Sequence, residues 1–338
     1  MSCAAYTLVY VLPLYASAQT RASPGRSRDA PEAIRARITA VSLSTTACSL
    51  ATLLLLPHVC DATAAATSCS PLRLMGYWPV GLAETLKSCL LTGLLFAAPL
   101  YESLVIDGGW REWISGFQPL RDIWAEWPAW RNLVAVSCVP LSITDESKRL
   151  WVNQLALSPQ FYASSASSFL RAHAFVSLQG PVTEECLFRS AAIPLLLVAG
   201  SSLSRIILLS PVVFGLAHLH HFYEFRVTHP QTPLVAAIAR SVLQFSYTSI
   251  FGAYANFLFL RTGSLLAVVV VHAFCNSMGL PRVWGAVQPY WLSEADAARP
   301  ARVILWSGIY YALLVGGSIA WWKNLYFLTE SPLALAVF

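Results

Sequence analysis

Five stretches of this 338-residue chain carry no charged side chain: 1–20, 38–56, 241–260, 262–281 and 303–322. Each is close to the ~20 residues that a helix needs to cross a hydrocarbon core of roughly 30 Å. Lipid offers the backbone no hydrogen-bond partner, so segments of this kind must satisfy themselves as helices. Composition points the same way. With 56% hydrophobic and 12% charged residues and a mean hydropathy of +0.57, there are too few charges to coat a soluble globule of this size. Shorter or polar-interrupted runs at 79–101, 161–179, 185–204 and 206–221 bring the expected total to about eight spans. The expected fold is therefore all-α, a polytopic transmembrane helix bundle with the lipid bilayer as its solvent.

The segments between the spans set expectations for organisation. Ala16-Ser17-Ala18 has the small-x-small form of a signal-peptidase site, but residues 1–20 hold no Lys or Arg for a basic n-region, which favours a retained anchor. The loop 21–37 carries Arg21, Arg26, Arg28, Arg35 and Arg37 against Asp29 and Glu32, so the positive-inside rule puts it in the cytoplasm. The formal charge of +5 is spread over short loops without a block of like charges, as expected of arginines flanking helix ends and not of a nucleic-acid surface. Eight cysteines show no Cys-x-x-Cys spacing and mostly sit in apolar runs as small hydrophobes; Cys60 and Cys69 share a polar loop and would pair only if it is lumenal. Between 102 and 131, Trp110, Trp113, Trp124, Trp127 and Trp130 alternate with charged residues, which suits a helix lying at the headgroup level. Residues 137–179, with a polar break at Thr144–Arg149 and a serine-rich centre, are not expected to add a single full crossing. Four regions follow: N-terminal transmembrane helices over 1–101, an interfacial and variable segment over 102–179, a helical core over 180–283, and a C-terminal loop, last span and tail over 284–338.

The chemistry is concentrated in the third region. Residues 180–189, Gly-Pro-Val-Thr-Glu-Glu-Cys-Leu-Phe-Arg, put Glu184, Glu185 and Arg189 in an otherwise lipid-like stretch. Each such charge costs about 2.5–3.5 kcal/mol near the bilayer centre even on lenient scales, which makes a functional site the first hypothesis. Glu185 and Arg189 are four apart and share a helix face, so the arginine can neutralise that carboxylate and leave Glu184, about 100° away, free to act as a base. His218 closes Phe-Gly-Leu-Ala-His, and His272 and Asn276 are again four apart in the most apolar window. A carboxylate and a histidine gripping one water, opposite an imidazole and an amide that stabilise an oxyanion, are the parts required for peptide hydrolysis without a covalent intermediate.

Competing readings exist for each residue. His173 suits a helix–helix hydrogen bond, and His220, His221, Glu224 and His229, where the chain leaves the apolar run, suit a solvated loop better than a metal cluster. Metal ligation by Glu184, His218 and His272 is chemically conceivable, yet the chain has no His-Glu-x-x-His helix, and no cofactor is expected. Cys186 as a thiol nucleophile has only its proximity to the glutamates in its favour. A transporter or scaffold using the glutamates as an ion site would be expected to show internal repeats with paired broken helices, and none is visible.

The ordered set Glu-Glu-x-x-x-Arg at 184–189, Phe-x-x-x-His at 214–218 and His-x-x-x-Asn at 272–276 resembles the type II CaaX prenyl proteases, within the wider superfamily of glutamate-dependent intramembrane proteases. The likeness extends to Gly180-Pro181-Val182-Thr183, His220-His221, Gln244–Thr248, Phe251–Tyr254 and Phe259–Gly263, and covers about 180–283. Two departures stand out. Cys186 replaces a usual aliphatic residue, and residues 137–179 separate the family-like Trp130–Val136 from the glutamates, so that either Phe169–Gln179 replaces the usual lead-in or 137–179 is an insertion.

The resemblance implies an intramembrane active site in the endoplasmic reticulum membrane. The substrates it implies are farnesylated or geranylgeranylated CaaX proteins such as Ras-like GTPases, cut after the prenyl-cysteine and before carboxyl methylation. It assigns water activation to Glu184 and His218 and oxyanion stabilisation to His272 and Asn276, with Glu185 and Arg189 in support. A metal-dependent protease of the same fold is the alternative within enzymes. A cytoplasmic substrate requires the opening to Glu184 to face the cytosol, on the same side as the loop 21–37.

Overall fold

The computed structural model describes residues 2–21, 31–62, 70–110, 179–289, 291–292 and 299–338. The Trp-rich segment beyond residue 110, the stretch 137–178 with His173, and the greater part of the loop 21–37 lie outside the described residues. All regular structure among the described residues is helical. Among the described residues four helical stretches are long and apolar enough to cross a membrane: Ala36–Cys60, Leu203–Thr228, Leu234–Thr262 and Pro300–Leu328. Leu82–Leu95 and Ala97–Ile106 make a fifth if they form one span, although they meet at 83°.

Two expected spans come out shorter. Over 262–281 the helix is Leu265–Met278, 14 residues or about 21 Å of rise, which falls short of a hydrocarbon core. Gly263 ends the preceding helix and Thr262 and Ser264 bind backbone groups at the break, consuming residues that apolarity alone assigns to the span. Over 1–20 the chain forms Ser2–Val11 and then Pro13–Ala16, interrupted where Pro13 opens the second helix.

The described chain divides into two compact units. The first holds described residues from 2–88, 179–272 and 329–338. Its longest helices are Pro31–Ala62, opened by a proline at its first position, and Leu234–Thr262, ended by Gly263 in the left-handed region at φ 59°. Leu234–Thr262 shows why this unit belongs in lipid. Gln244, Thr248, Gly252, Ala255 and Asn256 are buried, whereas Val235, Val242 and Ile250 are exposed by 79%, 58% and 72%. Over 234–256 small and polar groups face the protein and large aliphatic groups face outward, an arrangement that is stable only if the outside is hydrocarbon; Phe257–Leu260 are buried as well.

Two irregularities in the first unit bear on its polar residues. Residues Gln179–Glu185 are α-helical, but Cys186–Ala191 widen into a π turn before Ala192–Val198 resumes. Thr52 Oγ1 donates to the Ala191 carbonyl at 3.0 Å, satisfying an acceptor where the widened turn ends. The 203–228 stretch breaks at His218, where the amides of His218, Leu219 and His221 each bond three residues back. That tighter turn rotates His218 away from the register of the helix it terminates. Around these two segments Leu187, Phe188, Phe214, Ala217 and Cys48 form a core, with Tyr6, Tyr10 and Val11 of the first helix against it.

The tail 329–338 returns to the same unit: the Leu335 amide donates to the Leu260 carbonyl at 2.8 Å, and Ser331 Oγ to Glu84 Oε1 at 2.8 Å. In the second unit Ala98, Ile106, Val287 and Tyr310 make the core, and Arg282 pairs with Glu102 at 2.7 Å. Cys60 is disulfide-bonded, to a partner outside the residues whose side chains are described; Cys48, Cys89, Cys186 and Cys275 form no disulfide.

Gly263 carries a direct test of the packing. A Cβ there would overlap the Leu333 carbonyl, and the positive φ is itself unfavourable for any other residue. Gly263→Ala is expected to lower stability by about 1–3 kcal/mol, read as a fall in melting temperature of the detergent-solubilised protein; an unchanged melt would contradict the tail placement.

Candidate active site

Arg189 is 1% exposed and every face of its guanidinium is occupied. Nη1 donates to Glu185 Oε1 at 3.0 Å, Nε to Asn256 Oδ1 at 3.1 Å, and Nη2 to the Gly252 carbonyl at 3.3 Å. Phe214 lies 4.6 Å from its carbon on one side and Phe251 5.9 Å away, so quadrupole attraction supplements the hydrogen bonds in a medium with no water to compete. The expected Glu185–Arg189 pair is present despite the π turn between them. Gly252 allows this approach: a Cβ there would come 2.9 Å from Pro211 and 3.3 Å from Nη2.

Glu185 does more than neutralise the arginine. Its Oε1 also lies 2.7 Å from His272 Nδ1, which fixes that ring nitrogen as the protonated one and turns Nε2 toward Glu184 Oε2, 4.0 Å away. The two glutamates thus differ as their spacing predicts. Glu185 is fully buried between two cationic or donor partners, while Glu184 is 14% exposed and has no hydrogen bond among the described residues. A gap of 4.0 Å is too long for a direct bond and suits a bridging water.

His218 sits on the adjoining 203–228 stretch. Its Nδ1 donates to the Phe214 carbonyl at 2.9 Å, leaving Nε2 as an acceptor, and its ring stands edge-on to Phe214 at 4.9 Å. Phe214 therefore joins Arg189 to His218, and Phe251, 4.4 Å from the His272 ring, joins it to His272. No hydrogen bond or ion pair among the described residues links His218 to Glu184. Asn276 follows His272 by one turn on the Leu265–Met278 helix; it is exposed and belongs to the second unit.

Three features differ from the sequence reading. Asn256 was not among the candidate residues, yet its amide donates to the Ile206 carbonyl at 2.7 Å and Ser210 Oγ at 2.8 Å while accepting from Arg189. Its signal was an amide, one of two with Gln244, inside the uncharged run 241–260. His220, His221 and Glu224 are not in a solvated loop: they lie on the His220–Thr228 helix, with His221 3% and Glu224 1% exposed. Their counter-charge is Arg37, whose Nη2 reaches Glu224 Oε1 at 2.7 Å, so this arginine is buried and not a loop charge. The potential ligand atoms of His220, His221 and Glu224 fall within 4.8 Å of one another. Both carboxylate oxygens are already engaged, by Arg37 and by His221 Nδ1, and a metal would have to displace a guanidinium. Cys186 Sγ contacts Tyr77 OH at 3.8 Å, as expected of a packed thiol.

Residues 166–278 match the family described as type II CAAX prenyl endopeptidase Rce1-like. The chain is 32% identical over 282 residues to a probable CAAX prenyl protease 2 of Schizosaccharomyces pombe, covering 83% of this chain and 81% of the relative. It is 55% identical over 101 residues to a CAAX prenyl protease 2 of Arabidopsis thaliana, 30% of this chain and 32% of that one. The human CAAX prenyl protease 2 is 39% identical over 136 residues, 40% and 37% of the two chains. No solved structure matches.

Asn256→Leu is expected to lower stability by about 1–3 kcal/mol, because the buried Arg189 Nε loses its acceptor and the Ile206 carbonyl a donor. Thermal melting of the purified variant checks this, and a melt equal to that of the parent would remove Asn256 from the network.

Proposed function

The chain belongs to the type II CAAX prenyl endopeptidases and is a CaaX endopeptidase, and on that premise we propose that Glu184 and His218 activate the water that cleaves the peptide bond after the prenyl-cysteine. The observation that carries this is the unequal treatment of the two glutamates. Glu185 is committed to Arg189 and His272, and Glu184, with His272 Nε2 4.0 Å away, makes no hydrogen bond among the described residues.

A water that donates one hydrogen to Glu184 and the other to His218 Nε2 has its lone pair free for attack. Glu184 takes the water proton as the oxygen adds to the cysteine carbonyl carbon. The carbonyl becomes a tetrahedral oxyanion, the C–N bond then breaks, and Glu184 returns the proton to the departing amine. The products are a prenyl-cysteine carboxylate and the free aaX tripeptide. His272 Nε2 and the Asn276 amide stabilise the oxyanion. Because Nδ1 of His272 already gives its hydrogen to Glu185, Nε2 donates only when the ring is doubly protonated, and Glu185 is the counter-charge for that state.

The substrates are prenylated CaaX proteins, here taken to include farnesylated and geranylgeranylated Ras-like GTPases, with the prenyl chain entering from lipid between the helices. The enzyme is a membrane protein, and we place it in the endoplasmic reticulum membrane. Roles for Glu185 and Arg189 are supportive.

Detergent-purified protein incubated with a farnesylated CaaX peptide should release the tripeptide, identified by mass, and should do so after exhaustive chelation. Loss of activity on chelation with recovery on adding zinc would favour a metal-dependent reaction. Asn276→Ala is expected to lower kcat by about 10²–10³ with KM little changed; a raised KM at constant kcat would make Asn276 a substrate-binding residue. Cys186→Ser is expected to be nearly silent, and a large loss would revive the thiol.

A further inference from the structure

A second buried array lies behind His218, and the mechanism does not use it. Arg37 Nη2 pairs with Glu224 Oε1 at 2.7 Å, and Arg37 Nη1 donates to the Thr20 carbonyl at 3.4 Å. Glu224 Oε2 accepts from His221 Nδ1 at 3.1 Å. The His221 amide in turn donates to the His218 carbonyl at 3.0 Å, and the two imidazoles meet edge to face with centroids 5.9 Å apart. His220 closes the array, 3.8 Å from His221 and held by the Ala217 carbonyl at 2.5 Å.

Packing alone does not call for such an array. A buried ion pair is often no more stabilising than apolar groups of the same volume, because desolvation offsets the attraction. What the charges add is direction. An ionised carboxylate held by Arg37 can only accept, so it sets the orientation of His221 and the proton on its Nδ1. His221 lies three residues past His218, across the tight turn at which the helix breaks, so fixing its ring limits how that turn can relax.

We infer that Arg37, Glu224 and His221 are positioning residues for His218, which makes the Pro31–Ala62 helix, outside the family-matched segment 166–278, part of the working site. The inference rests on the assignment of His218 to water activation. It accounts for the position of Arg37 on the Pro31–Ala62 helix, the same helix whose Thr52 binds the end of the π turn that follows the two glutamates. One helix thus braces both chemistry-bearing segments from behind.

The test compares two paired replacements in the full-length protein, neither of which strands a buried charge. In Arg37→Met with Glu224→Leu, His221 loses its acceptor. In Arg37→Met with Glu224→Gln, the amide oxygen can accept from Nδ1 again. With kcat normalised to folded, monodisperse protein and a farnesylated CaaX peptide as substrate, the Leu pair should lose at least about tenfold in kcat with KM within about twofold, and the Gln pair should recover most of it. Equal kcat in the two pairs, or a Leu pair that does not fold, assigns the array to structure alone and overturns the proposal. The parent protein run alongside separates this from the functional reading: if it does not release the tripeptide, the reading fails first.

Discussion

A guanidinium and a carboxylate held 3.0 Å apart inside a lipid-facing bundle set the terms for everything around them. Neither charge is tolerable there alone, so Arg189 draws in Glu185, the Asn256 amide, the Gly252 carbonyl and two phenyl rings. Those partners come from three separate helical segments. Satisfying one buried arginine therefore holds the segments bearing Glu184 and His218 against the Leu234–Thr262 helix, and its partner Glu185 carries the contact on to His272.

The same requirement divides the labour of the adjacent glutamates. Glu185 gives its Oε1 to both Arg189 and His272. Glu184, one residue earlier, faces a different direction and makes no hydrogen bond among the described residues. Side-by-side carboxylates would ordinarily repel one another in a low dielectric; here one is neutralised by its helix neighbour, so the other can remain available.

What the sequence made legible and what it hid follow from the range of each interaction. The Glu185–Arg189 pair, the separation of Glu184 from it and the His272–Asn276 spacing are local consequences of helical repeat, and long uncharged runs identify membrane helices without reference to the rest of the chain. Arg37 with Glu224 and Arg189 with Asn256 join residues 187 and 67 positions apart, and nothing near Glu224 in sequence announces its counter-charge. For that reason a run of two histidines and a glutamate past an apolar stretch looks like solvated loop. The 262–281 window failed as a span for a different reason: hydropathy averages over Gly263 and Ser264, whose backbone roles end one helix and begin the next. The π turn at Cys186–Ala191 has no periodic signature, since one extra residue in a single turn leaves the apolar pattern almost unchanged.

The central claim is that catalysis depends on Glu184 and that the fold does not. The most direct measurement is single-turnover release of the tripeptide from a farnesylated CaaX peptide by purified Glu184→Ala, alongside its melting temperature and membrane insertion. The account predicts a protein that inserts and melts like its parent and releases no tripeptide. Release at more than a few per cent of the parental rate, from protein shown to be folded, would contradict it.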